Sequence, residues 1–257
     1  MIDKRYFVKI ICSIFVVSLF LGDINATYAE DIENRVRLNG RLLAGHIRSA
    51  LAQNDIALLA VADFLAANPG VSDEIIHARL KRYAVRGAGM RAVLGIDPTG
   101  QLRYDSFSLP APDLNLSGRH YVRKALGAES ADLIVGGPVI GKQSGLPFIP
   151  LARPYFSING ARLGVVAGVM VPNALIEPVT KCTLCVAATY LETGETLVTY
   201  PSGAKLPREL LEEVVLSPDT SSLTRVSLAG TSTIVFWEKI ASYGVIAIYA
   251  ETERAGS

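Results

Sequence analysis

Residues 114–172 read LNLSGRHYVRKALGAESADLIVGGPVIGKQSGLPFIPLARPYFSINGARLGVVAGVMVP, and this stretch decides the fold. A short polar helix opens it, and three apolar segments follow: Leu133–Val139, Phe148–Phe156 and Leu163–Val171. Glycine-bearing turns separate these segments. Short runs of aliphatic and β-branched residues bounded by such turns are typical of antiparallel strands joined by hairpins. The stretch therefore predicts a curved antiparallel sheet with a helix beside it.

The segment before this stretch predicts a long amphipathic helix. Residues 30–68 contain no proline and only two glycines, and Asn68-Pro69-Gly70 ends the pattern. Apolar residues recur at helical spacing at Val36, Leu43, Ile47, Leu51, Leu58, Val61 and Leu65. A helix of about 35 residues is about 50 Å long. We expect its N-terminal half to pack on a second copy of the chain or to stand clear as a stalk.

Further elements complete two modules of the same kind. Residues 72–85 predict a second helix, and Met90–Ile96 and Leu102–Phe107 predict a hairpin. After Pro172 the order restarts on a smaller scale, with helices at 174–180 and 207–215 and strands at 185–191, 196–200, 223–228, 232–237 and 245–250. The sequence thus predicts an α+β fold, in which a long N-terminal helix precedes two antiparallel sheets of about five strands flanked by helices.

The predicted boundaries follow from these elements. They are 1–29 for an N-terminal targeting segment, 30–70 for the long helix, 71–172 and 173–252 for the two modules, and 253–257 for a tail. In the first segment Lys4, Arg5 and Lys9 precede an apolar run and a small-residue stretch ending at Ala29. This pattern predicts a signal peptide or an uncleaved signal anchor that continues into the next helix. Both place the body outside the cytoplasm, in the periplasm or at the cell membrane.

Charge excludes one class of partner. Removing the three basic and two acidic residues of the first 29 from totals of 25 and 24 leaves 22 of each sign. Nucleic-acid binding needs a basic face, so a neutral body argues against it.

Cys182 and Cys185 form a C-x-x-C pair, which an oxidising compartment favours as a disulfide. Residues three apart in a strand lie too far from each other to bridge, so the disulfide requires a turn at Lys181–Leu184. Unpaired core cysteines and a redox or metal role are the alternatives. No second C-x-x-C or His pair supports a metal.

The sequence gives no support for an enzyme. The glycines at 136–145 lack the lysine-serine pair of a phosphate-binding loop, and no G-x-S-x-G occurs. None of the three histidines lies in a recognisable catalytic context. We expect no enzyme activity, no cofactor and no metal.

The order and spacing of several short motifs resemble the double Cache sensors, the tandem PAS-like extracytoplasmic domains of histidine kinases, diguanylate cyclases and chemoreceptors. The residues that carry the resemblance are Asp97, Gly100, Arg119, Tyr121, Gly137, Pro138, Val139, Gly141, Ser144, Gly145, Arg153, Pro154, Gly164, Val165 and Val166. The second half, with Ser242-Tyr-Gly-Val-Ile-Ala247, is similar to the family's membrane-proximal module. The resemblance covers roughly residues 30 to 252 and implies that the first module is membrane-distal and binds a small ligand.

The resemblance places the ligand between the sheet and its helical cover, near Arg119, Tyr121, Arg153 and Tyr155, with Tyr104 on the neighbouring hairpin. A guanidinium at a buried strand position needs an anionic partner, and its planar fork suits a carboxylate. The alternative is a structural ion pair in which Arg153 meets Asp105 or Asp113.

The expected ligand is a small organic anion, such as a carboxylate. The amino-acid-binding branch of the family carries a tryptophan beside the helix arginine and acids that hold the ligand's ammonium. Here His120 stands next to Arg119, and Trp237 lies in the second module, so an amino acid is disfavoured.

The resemblance also bears on signalling. Members of the family continue through a second membrane helix into an output domain, whereas this sequence stops at Ser257, where that helix would begin. We therefore expect a sensing module without its own output domain, acting through a homodimer of the first helix or on a separate kinase or cyclase. The alternatives are a secreted or periplasmic protein that delivers its ligand to another receptor, and a truncated, non-signalling remnant.

Overall fold

A computed structural model describes residues 30–180, 182, 184–228 and 230–253, together with the helical backbone of residues 4–29. The predicted targeting segment at 1–29 lies outside the described side chains, and most of the predicted tail lies outside the described residues. The helices are α1 (Lys4–Ala67), α2 (Asp73–Arg86), α3 (His120–Gly127) and α4 (Arg208–Leu216). The strands are β1 (Met90–Ile96), β2 (Leu102–Asp105), β3 (Ile134–Val135), β4 (Val139–Ile140), β5 (Pro147–Phe156), β6 (Arg162–Met170), β7 (Cys185–Leu191), β8 (Thr196–Tyr200), β9 (Ser221–Leu228), β10 (Thr231–Ile240) and β11 (Val245–Thr252).

Two antiparallel sheets form the two modules. The first has the order β2-β1-β6-β5-β3, with β4 paired to β5, and the second has the order β8-β7-β11-β10-β9. Helices α2 and α3 pack on the first sheet, and side chains of α4 join the core of the second. The predicted α+β class, with a long helix and two sheets of five or six strands, is confirmed.

Two predicted elements are interrupted at prolines. The apolar segment Leu133–Val139 is not one strand but the two short strands β3 and β4, separated by Gly136-Gly137-Pro138. Proline has no N–H to give to a ladder, and Gly136 donates its own N–H to the carbonyl of Pro150 at 2.8 Å. The helix predicted at 174–180 is replaced by two short 3-10 turns, with Pro178 in the second of them.

Helix α1 is the element that both sheets share. Its apolar positions are buried in one continuous core with side chains of the first sheet, such as Leu151, and of the second, such as Phe236. The prediction that the N-terminal half of the helix at 30–68 stands clear as a stalk is therefore wrong, whereas its packing on a second copy stays a prediction for the exposed face. Ile32 is 2% exposed and Val36 fully buried, because the second sheet lies under this part of the helix. Although residues 30–67 are long and apolar enough to cross a membrane by composition, this apolar face is occupied within the chain.

Polar contacts reinforce the attachment of α1 to the last strand. Arg35 forms an ion pair with Glu251 of β11 at 2.8 Å, and Glu251 is only 9% exposed. The Tyr249 hydroxyl donates to the same carboxylate at 2.8 Å and accepts from Asn39 at 3.2 Å. Burial and the neighbouring Glu251 carboxylate raise the pKa of Tyr249, so the phenol remains a donor at neutral pH.

The two cysteines meet at the start of the second module. A disulfide joins Cys182 and Cys185, whose Cα atoms are 5.8 Å apart. β7 begins only at Cys185, so the pair does not lie within an extended strand. The turn predicted at Lys181–Leu184 falls partly outside the described residues.

The burial of α1 predicts the effect of a single truncation. Leu43→Ala removes a fully buried side chain from the first half of the 30–67 part of α1 and is expected to lower the free energy of unfolding by about 2–5 kcal/mol. Leu216→Ala, at an 81% exposed position of α4, is the matched control and should stay within about 0.5 kcal/mol of the wild type. Urea unfolding measures both. Equal, small effects would mean that this half of α1 stands free of the sheets.

Candidate functional site

Strand β5 presents different side chains to the two faces of the first sheet. Successive side chains of a strand point to opposite faces. Ile149 and Leu151 lie in the core shared with α1, whereas Phe148 and Ala152 lie in a second core shared with α3. We call these the α1 face and the α3 face of the sheet.

The predicted site residues divide between these faces. Tyr121 packs in the core of the α3 face, and Arg119 is the residue immediately before α3. Tyr104 and Tyr155 pack against the core of the α1 face. Arg153 reaches Asp55 of α1 and so also lies on the α1 face. The five residues are therefore not brought together in one pocket.

Arg153 has its anionic partner inside the chain. Its guanidinium forms an ion pair with Asp55 of α1, with Nε 3.1 Å from Oδ1, and also donates to the carbonyl of Ala131. The side chains of Arg153 and Asp55 are 10% and 24% exposed. The structural ion pair expected with Asp105 or Asp113 is wrong in its partner, because Asp55 takes that place.

The two tyrosines of the α1 face pack over glycines. A Cβ at Gly95 would lie 2.7 Å from the Tyr104 ring, and a Cβ at Gly164 would lie 3.1 Å from the Tyr155 ring. Burial, together with Tyr104 and Asp97 nearby, raises the pKa of Tyr155 to about 12. Tyr155 therefore stays neutral, and both rings serve the packing of this face.

The α3 face is a closely packed apolar layer with one phenol in it. Tyr121 is 4% exposed and meets Phe148 edge to face, with ring centroids 6.4 Å apart. Burial raises the pKa of Tyr121, while the Arg119 charge opposes that rise. The other members of this core are Ala92, Ile96, Leu102, Leu116, Val122, Ala125, Ala152, Val165, Ala167 and Val169.

Two cations cross-brace the edge of the α3 face. Arg119 donates from Nη2 to the carbonyl of Ile140 in β4 at 2.8 Å. Lys142, in the turn after β4, donates from Nζ to the carbonyl of Asn115 at 3.2 Å. Among the described residues neither forms an ion pair with a carboxylate. Sequence reasoning missed Lys142, although it is the only charged residue of the turn between β4 and β5.

The chemistry available here is anion recognition. α3 begins without a side-chain cap and without an acid in its first turn, where its unpaired N–H groups carry partial positive charge. Within the described part of the chain, no group of three His, Cys, Asp or Glu residues could hold a metal ion. A cleft of about 10 Å³ lies elsewhere, beside Asp73, His77 and Tyr104, and has room for about one water molecule rather than for an organic ligand.

Comparisons with known proteins place the fold. No family model and no curated protein matches the sequence. The extracellular domain of the proposed histidine kinase rpHK1S-Z16 is 22% identical, with a TM-score of 0.77 over 88% of this chain and 97% of that chain. The ligand-binding domain of the Pseudomonas aeruginosa PAO1 amino-acid chemoreceptor PctC, in complex with GABA, is 21% identical, with a TM-score of 0.63 over 87% and 100% of the chains. That of the Campylobacter jejuni chemoreceptor Tlp3, in complex with 4-methylisoleucine, is 13% identical, with a TM-score of 0.68 over 89% and 96%. The chain therefore has the two-module fold of extracellular sensor domains, which confirms the double Cache resemblance at the level of fold.

The Asp55–Arg153 pair predicts a measurable coupling. Arg153→Gln or Asp55→Asn leaves the other group without its ionic partner at a largely or partly buried position, and each is expected to lower the free energy of unfolding by about 1–3 kcal/mol. The double variant should cost less than the sum of the two, since the orphaned charge is then removed. Denaturant unfolding of the four proteins gives the coupling. Arg123→Gln, at an exposed position of α3, is the control and should be nearly silent.

Proposed function

We propose that this chain is the ligand-binding part of an extracytoplasmic sensor and that it binds a small organic anion at the α3 face of its first module. The main support for this proposal is the position and bonding of Arg119. Its guanidinium stands beside the buried Tyr121, and its hydrogen-bond acceptor is the Ile140 carbonyl rather than a carboxylate. An Arg–carboxylate bond is stronger than an Arg–carbonyl bond, so an anionic ligand can displace this contact.

Similar structures support a carboxylate as the recognised group. The PctC domain was solved with GABA, the Tlp3 domain with 4-methylisoleucine, and a Pseudomonas fluorescens domain, CtaA, with L-alanine. All three ligands carry a carboxylate. They also carry an ammonium, which an acidic side chain would hold. The buried acids of the described residues, Asp105 and Glu251, instead accept hydrogen bonds from Phe107 and Tyr249. This favours an anion without an ammonium.

The binding residues proposed are accordingly Arg119 and Tyr121. Arg153, Tyr155 and Tyr104 support the α1 face, and their substitution is expected to act through stability rather than through direct ligand contact. No catalytic step, cofactor or metal enters this proposal.

The exposed surface of α1 favours a homodimer formed through this helix. On the side of α1 opposite its buried face, apolar and small residues recur alternately after four and three positions. This stripe, which we call the α1 seam, consists of Leu38, Leu42, Gly45, Ser49, Ala52, Ile56 and Leu59. Leu38, Leu42 and Ile56 are 60%, 57% and 69% exposed. Apolar residues at this spacing are typical of paired helices, and small residues in the middle allow close approach. We propose that the body lies outside the cytoplasm and that α1 carries the signal towards the membrane or to a separate kinase or cyclase.

The ligand proposal predicts a thermal-shift pattern. A panel of small carboxylates should contain at least one compound that raises the melting temperature of the wild type. Arg119→Gln should abolish the shift, because it removes the charged donor, whereas Arg123→Gln, one helical turn further on, should keep it. A shift that survives Arg119→Gln would remove Arg119 from the site. No shift with any carboxylate would contradict the proposed function.

The dimer proposal predicts a concentration-dependent size. Ile56→Glu places a charge in the α1 seam and should convert a dimeric protein to a monomer in sedimentation analysis. Leu216→Glu, at an exposed apolar position outside the seam, should leave the dimer unchanged. A wild type that is monomeric at every concentration tested would rule out the seam as a stable interface.

A further inference from the structure

We propose that Lys142 is the second cation of the anion site and that the site selects a small dicarboxylate over a monocarboxylate. This inference rests on the proposed function, since it needs Arg119 to bind an anion. It adds a residue that neither the motif pattern nor the comparisons indicate, and it names the class of ligand.

The positions of both cations are set by reciprocal hydrogen bonds. Arg119 reaches from the start of α3 to the carbonyl of Ile140 at 2.8 Å. Lys142 lies two residues after Ile140 and reaches back to the carbonyl of Asn115 at 3.2 Å, four residues before Arg119. Each cation thus bonds to the segment that carries the other. Both charges therefore lie along one line of contact, between the loop 115–119 and the hairpin 139–148. We call it the cation seam, and it is distinct from the α1 seam.

Neither cation of this seam forms an ion pair with a described acid. Asp113, the nearest acid before the loop, accepts a hydrogen bond from Gln101 at 2.9 Å, and no ion pair joins it to Arg119 or Lys142. A carbonyl is a neutral acceptor, so each cation retains its full charge. A ligand with a carboxylate for each cation would replace two neutral acceptors with two charge-assisted bonds.

The hairpin that carries Lys142 has few buried contacts that would hold it in place. β4 has only two residues; Ile140 within it and Leu146 in the turn after it are 57% and 52% exposed. Gly145 takes a left-handed conformation at φ +64° and closes the turn through a hydrogen bond to Gly141 at 3.0 Å. A segment with little buried surface can move at low free-energy cost. Lys142 can therefore exchange the Asn115 carbonyl for a ligand while the core of the α3 face stays packed.

The competing role for Lys142 is a purely structural brace. In that case its loss would alter the stability of the hairpin and weaken every anion alike. A second binding cation acts differently, because it contributes only when the ligand has a second negative group. The contrast between mono- and dicarboxylates therefore separates the two roles.

The test is isothermal titration calorimetry on the full chain with two matched series of ligands. One series is oxalate, malonate, succinate and glutarate, and the other is acetate, propionate, butyrate and valerate. The proteins are the wild type, Lys142→Gln, Arg119→Gln and, as a control on an exposed lysine of α3, Lys124→Gln. Circular dichroism melting verifies that each variant is folded.

We expect the wild type to bind a dicarboxylate at least about tenfold more tightly than the monocarboxylate series, as one added charge-assisted bond implies. Lys142→Gln should remove this preference and leave monocarboxylate affinity within about twofold, and Lys124→Gln should change neither. Arg119→Gln should weaken both series.

Distinct outcomes overturn distinct statements. If Arg119→Gln weakens binding but Lys142→Gln affects the two series equally or not at all, the inference fails while the proposed function stands. Sulfate is titrated beside the two series; if it binds as tightly as the best dicarboxylate, the site recognises charge alone and the dicarboxylate assignment is wrong. If no member of either series binds the wild type, both the inference and the carboxylate proposal fail.

Discussion

The packing of α1 across both sheets is the constraint on which the rest of the structure depends. Leu43 and Ile47 are fully buried in the same core as Phe236 of the second sheet and Leu151 of the first. Each buried aliphatic side chain contributes about 1.5–3 kcal/mol relative to exposure. Because one helix covers the core that both sheets share, the two modules cannot rearrange independently of it. The ion pair between Arg35 and Glu251 ties the same helix to the last strand.

Because α1 covers one face of the first sheet, the two faces have different roles. The α1 face is structural, since Arg153 forms an ion pair with Asp55 of α1 and Tyr104 and Tyr155 pack over glycines. The α3 face is also a packed core, but its edge holds Arg119 and Lys142, which form no ion pair with a described carboxylate. Neighbouring residues of β5, Ala152 and Arg153, belong to opposite faces. If a ligand on the α3 face displaced β5, the contact between β5 and α1 on the opposite face would therefore change as well.

Local chemistry explains which features the sequence could predict. Turn residues and the short apolar runs between them predicted β1, β7 and β8 with the bounds that are observed, and helical spacing predicted the buried positions of α1. Periodicity tells which face of a helix is buried but not what covers it, so the contact with the second sheet was missed. Asp55 lies 98 residues from Arg153, and no local rule pairs them. The alternation of side chains along β5 is enough to place Arg153 and Phe148 on opposite faces of the sheet. Only the fold reveals that Tyr121 packs against Phe148.

The central claim is that the ligand lies on the α3 face and leaves the α1 face intact. A crystal structure of the protein grown with a carboxylate that raises its melting temperature tests this most directly. We expect ligand density against Arg119 at the edge of α3, with the Asp55–Arg153 ion pair unbroken. Ligand density against Arg153, with Asp55 displaced from it, would instead place the site on the α1 face and rule out the α3 face.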